Sequence, residues 1–100
     1  MVRHVVLFRW KPGISQGQLE SLQRALADMP KICPSIRRYR YGRNLALQPG
    51  NFDFGIVADF DDAAGWQEYW ANEAHQRFIA EHVRPLAEQR VALQYELERD

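Results

Sequence analysis

One cysteine, Cys33, is all the chain has, so no intramolecular disulfide can form and the composition fits a reducing compartment. An excess of either charge is missing too: 13 basic and 13 acidic side chains cancel. That balance argues against a dedicated nucleic-acid or anionic-membrane protein, since both rely on a net positive field. There is no long hydrophobic run. The opening MVRHVVLFRW places only Val5, Val6, Leu7 and Phe8 together before Arg9 stops the run, too short for a signal-peptide core or a membrane span. The reading is a cytoplasmic protein. No repeat, low-complexity tract or linker divides the sequence, so residues 1–100 read as a single domain.

What is present is patterning. From Val2 to Trp10, His4, Val6, Phe8 and Trp10 share one side and Val5, Leu7 and Arg9 the other. Both sides are largely apolar, as in a central strand covered on two faces. After Lys11-Pro12-Gly13, Ser15 and Gln18 have capping-box spacing, with Ile14 placed to staple onto Leu19. Leu19, Leu22, Leu26 and Met29 then form one helical stripe, which Pro30 is expected to close. Ile36 to Arg43 alternates aromatic and basic residues as a second strand, and Asn44 to Asn51 is a loop. A third strand is expected from Phe52 to Phe60. Asp61 or Asp62 can cap a second helix carrying Trp66, Tyr69 and Trp70. Asn72 and Glu73 interrupt it before a further helical piece with His75, Phe78, Ile79 and His82. Val91, Leu93, Tyr95 and Leu97 alternate as a fourth strand.

The order is βαββαβ, an α+β, ferredoxin-like arrangement: a four-stranded antiparallel sheet with both helices on one face. The helix side is expected to hold His4, Val6, Phe8, Phe54, Ile56, Phe60, Leu93 and Tyr95. The other face still shows Val5, Leu7, Val57 and Ala92 among Arg9, Asp59, Gln94 and Glu96. An apolar sheet face left bare is rare on a monomer, and a homodimer packing sheet to sheet would cover it.

Four stretches, RHVVLFRWKPG, FDFGIVADF, EYWANEAHQRF and VALQYEL, together make the sequence resemble the Dabb family, the stress-responsive dimeric α/β-barrel domain, over essentially its whole length. The resemblance implies a homodimer whose two sheets form an α+β barrel, with a small pocket between sheet and helices in each subunit. Similar domains include stress proteins without established chemistry and a plant polyketide cyclase of the olivetolic-acid type. In that cyclase a tyrosine and a histidine on the broken helix act as acid and base; by position these fall on Tyr69 and His75, and a pocket histidine of the first strand falls on His4. The sequence departs from the family at Phe54, where the cyclase has a further pocket histidine, and at Asn72-Glu73, where His-Pro is common.

Tyr69 and His75 could not meet on an unbroken helix, where six residues rotate the second side chain roughly 240° and carry it about 9 Å along the axis. A break near Asn72 is required. With one, the expected site comprises Tyr69 and His75, with His4, Phe8, Phe54, Ile56 and Tyr95 as ligand-binding neighbours. Three functions are compatible with it: a pocket for a small apolar or aromatic molecule, a cofactor-independent acid/base enzyme such as a cyclase or isomerase, or a structural stress protein without ligand. No cofactor or metal is expected, because His75 and His82 lie about 10 Å apart along a helix with no carboxylate or cysteine at ligand spacing. The segment IRRYRYGR resembles single-stranded nucleic-acid platforms, and RNA-recognition modules share the βαββαβ order. Aligned on Phe54-Gly55, however, their strand-three signature meets Phe52 and Asp53 in its basic and glycine positions and Asp59 in its last aromatic one. Carboxylates there would repel phosphate, so nucleic acid is not an expected partner.

Overall fold

Alternation of the kind seen in Val2–Trp10 buries one side chain in two, and in the computed structural model, which describes residues 1–98, this strand becomes the hub of the sheet. The elements run β1 (Val2–Trp10), α1 (Gln16–Ile32), β2 (Ile36–Arg43), β3 (Phe54–Phe60), α2 (Ala63–Ala71), α3 (Glu73–Phe78) and β4 (Ala87–Glu96). A π-helical turn, Ile79–Val83, follows α3. The sheet order is β2-β3-β1-β4 with every neighbouring pair antiparallel. Ferredoxin-like topology follows, the second helix being split into α2, α3 and the π-helical turn.

Helix α1 starts where its polar residues dictate. Ser15 Oγ accepts the N–H of Gln18 while the Gln18 side chain accepts the N–H of Ser15, satisfying two donors that the helix cannot. Its stripe buries Leu22, Leu26 and Met29 against the sheet. Pro30 does not close the helix, which continues to Ile32. A proline lacks the N–H that would reach back to Leu26, but its φ is already helical, and one lost bond near a C-terminus is tolerated. The Cys33 N–H resumes the pattern by donating to Met29 O at 2.9 Å.

Two strand expectations are corrected. β3 begins at Phe54 rather than Phe52; the Asp53 side chain is used instead to accept the Trp10 N–H at 2.8 Å, which ties the strand entrance to the end of β1. β4 starts earlier than Val91, ends at Glu96 before Leu97, and its faces are the reverse of those expected. Val5 pairs with Leu93 and Arg3 with Tyr95, so Leu93 and Tyr95 lie on the bare face and Ala92 and Gln94 on the helix side. A period-two strand has two phases and composition alone does not choose between them.

The helix side buries Val6, Phe8, Phe54, Ile56, Ala58 and Phe60 beneath α1 and α2. On the bare face Leu7, Val91, Leu93 and Tyr95 are exposed beside the half-buried Val5 and Val57. Arg3 crosses this face to Asp59 with two bonds, of 2.8 and 2.9 Å, and Asp59 is only 3% exposed. The paired guanidinium holds the Asp59 carboxyl below its usual range.

Candidate functional site

Whether Tyr69 and His75 can act together depends on Asn72. Its backbone is extended, with φ −60° and ψ 129°, so the helical rotation stops for one residue. Asn72 serves both sides of the break: its N–H donates to Tyr69 O at the end of α2, and its Oδ1 accepts the N–H groups of Ala74 and His75 at 2.8 and 3.3 Å. The pieces re-aim accordingly. The Tyr69 and His75 ring centroids lie 4.0 Å apart, tilted by 43°. In place of His-Pro, Asn72-Glu73 produces the bend through a side-chain cap.

The two rings border a cavity of about 340 Å³ between the sheet and the α2–α3 arm. Its floor is His4, Val6, Phe8 and Ile56; its roof includes Tyr69, His75, Phe78 and Val83. The mouth carries Arg84, Glu88 and Arg90. Of the residues expected at the site, His4, Phe8, Ile56, Tyr69 and His75 come together here. Phe54 and Tyr95 do not. Phe54 is buried further along the sheet, with Trp10 at 5.8 Å and Tyr41 at 6.5 Å filling the space around it. Tyr95, on the opposite face through the register of β4, is 42% exposed.

Burial sets the protonation states. Desolvation pushes the pKa of His4 and of His75 down to about 4, with the Arg90 charge acting in the same direction. Both rings are therefore neutral at pH 7. Gln94 Nε2 donates to His4 Nδ1 at 2.9 Å, which leaves the His4 proton on Nε2. His75 Nδ1 is buried without a well-formed hydrogen bond, close to the Trp70 carbonyl, which also accepts from Gln76. That carbonyl favours the proton on Nδ1 and leaves Nε2 as the acceptor edge for a ligand.

Tyr69 does not bond to His75. Its hydroxyl meets Tyr39 Oη at 3.0 Å, and burial pushes its pKa up to about 12; Tyr39 is raised as well. Both phenols stay protonated. When Tyr39 donates to Tyr69, the Tyr69 proton is free for a third group, so the pair acts as a short hydroxyl relay. Sequence reading missed Tyr39, although its place opposite Ala58 on the helix side follows once the β2–β3 register is known. Gln94 was missed with the phase of β4.

A family model described as the stress responsive A/B barrel domain, Dabb, matches residues 2–97. An uncharacterised protein of Streptomyces coelicolor is 28% identical over 82 residues, which span 80% of this chain and 84% of the relative. Among solved structures, a dimeric ferredoxin-like protein of unknown function from Thermobifida fusca is similar at 35% identity and TM-score 0.88, over 96% of this chain and 90% of that one. A hydroxynitrile lyase from Passiflora edulis superimposes with TM-score 0.86 at 22% identity, over 99% of this chain and 94% of that one, a likeness of fold.

Proposed function

Because the chain belongs to the stress responsive A/B barrel (Dabb) family, we propose that it is a cytoplasmic homodimer that binds a small apolar or aromatic molecule in the hollow beneath its broken second helix. The observation that carries this reading is the cavity of about 340 Å³, within the size range of small-molecule sites, with apolar walls and a few convergent polar groups. His4, Tyr69 and His75 supply those groups, and all three are uncharged at neutral pH, which suits a ligand recognised by hydrogen bonds. A purely structural protein gains nothing from leaving such a space unfilled.

Dimerisation is supported by the bare sheet face and by the dimeric Thermobifida fusca neighbour. Light scattering at micromolar concentration is expected to give twice the monomer mass; a monomer refutes this part of the reading. For the pocket, a thermal-shift screen of small phenolic and polyketide-like compounds is expected to yield binders that raise the melting temperature. His75→Ala should weaken them by about tenfold, the usual consequence of losing one hydrogen bond to a neutral group together with its packing. A screen without binders would count decisively against a ligand.

The second reading is a cofactor-independent acid/base enzyme, favoured by the close approach of Tyr69 and His75. There His75 Nε2 takes a proton and Tyr69 donates to the developing oxyanion. An imidazole whose conjugate acid has a pKa near 4 is a weak base, so only an already acidic C–H or O–H is within its reach. Loss of turnover in a folded His75→Ala dimer is the expected result.

A further inference from the structure

The mouth of the cavity is chemically unlike its walls. Arg90 pairs across the sheet with Phe8, so its side chain shares the helix-facing side of β4. Its guanidinium reaches over to α2 and lies 5.8 Å from the Trp70 ring, which is itself 5.6 Å from the His75 ring. Arg84, at the end of the π-helical turn, borders the same opening. Among the described residues neither arginine is in an ion pair; Arg3 and Arg37, by contrast, are each held by an aspartate. Among the described residues Glu88 is the one carboxylate at the mouth, against two arginines, so their sum there is positive.

Resting on the pocket reading above, we propose that the ligand is an amphipathic carboxylate, with its apolar body between Phe8, Ile56, Phe78 and Val83 and its anionic group on Arg90. A planar guanidinium with no ion-pair partner among the described residues, braced by an aromatic face, is suited to a bidentate carboxylate contact. A neutral apolar ligand would use the walls and leave this cation without a role. The arrangement also sorts by polarity along one direction: apolar walls, then the imidazole acceptor and phenol donor, then the cation. An acid carrying a hydroxyl near its middle would meet all three. The Arg90 charge, which depresses His4 and His75 and acts downward on Tyr69, also keeps a bound acid ionised.

The test compares 2-naphthoate with its neutral isostere 2-naphthamide by calorimetry on the intact protein at pH 7.5 and low salt. The acid is expected to bind at least about tenfold more tightly, because hydrogen bonds between charged partners are the stronger class. Arg90→Gln should bring the two affinities together, while Arg90→Lys, which keeps the charge, should retain part of the preference. Arg90 lies exposed on an edge strand, and circular dichroism of each variant confirms that the fold is kept. Equal affinities for acid and amide, or a preference that survives in Arg90→Gln, overturn the carboxylate assignment and leave the pocket reading standing. Failure of both probes, and of every compound in the screen, overturns the two together.

Discussion

Phe60→Ala is expected to lose about 3–5 kcal/mol of folding stability, the usual cost of emptying a fully buried phenylalanine site. Phe60 has no exposed surface, and its ring lies 5.3 Å from that of Tyr69. It also packs beneath the first turn of α2. A Cβ at Gly65 would lie 3.3 Å from the Phe60 Cβ, a tight contact, so the glycine eases the close approach of the helix there. Truncating the ring opens a void beneath the first turns of α2, and collapse into it would move Tyr69 away from Tyr39 and His75. The loss should therefore exceed the core effect alone in one respect: ligand affinity should fall in whatever fraction remains folded. Urea denaturation at one fixed protein concentration measures the first effect, the concentration being held because a dimer couples stability to association. Leu45→Ala is the reference. Leu45 is 79% exposed, and its replacement should change the midpoint by less than about 0.5 kcal/mol equivalent.

The architecture was legible because its signals are periodic and local. The stripe of α1, the Ser15–Gln18 box and the alternation of β1 each follow from spacing, and each leaves few alternatives. Asn72 was legible as a break, since a capping residue inside an aromatic helix points to a new helix start. Phe54 and Tyr95 went astray for different reasons. Phe54 is on the expected face, but which stretch of that face remains unfilled depends on where Trp10 and Tyr41 pack, and sequence gives no distance along the sheet. Tyr95 depends on the phase of β4, whose more apolar side was read as core. In fact that side lies with Val5 and Leu7 on the face expected to meet a second copy, so the apolar residues of an edge strand mark two different burials. Tyr39 and Arg90 are long-range matters. Neither is close in sequence to Tyr69 or His75, and only the strand registers bring them there.

Acidification should destabilise the protein between pH 6.5 and 4, a window that opens well above the range in which ordinary carboxylates titrate. His4 and His75 have folded-state pKa values near 4, against 6.5 for a free ring. A depressed value means that the unfolded chain binds protons first. Their contribution is therefore fully present above pH 6.5, is lost progressively as the pH falls, and is exhausted below 4, where the folded rings protonate too. Of the groups facing the two rings, Arg90 from β4 disfavours the charge on both and His75 disfavours it on His4; the Trp70 carbonyl favours it on His75 without offsetting burial, Tyr39 and Tyr69 stay protonated, and neither histidine is in an ion pair with a carboxylate among the described residues. Asp59 adds a loss of the same sign, but below its unfolded value of 3.8, so the upper window belongs to the histidines. Both rings border the cavity rather than solid core, so the combined loss should be on the order of 2–4 kcal/mol, rather than the larger figure that full burial would give. Urea midpoints at pH 7.5 and 4.5 read this loss directly, and the His4→Gln/His75→Gln double variant should show a much flatter profile. A wild-type profile flat over the same interval would mean that both rings titrate as they do in water.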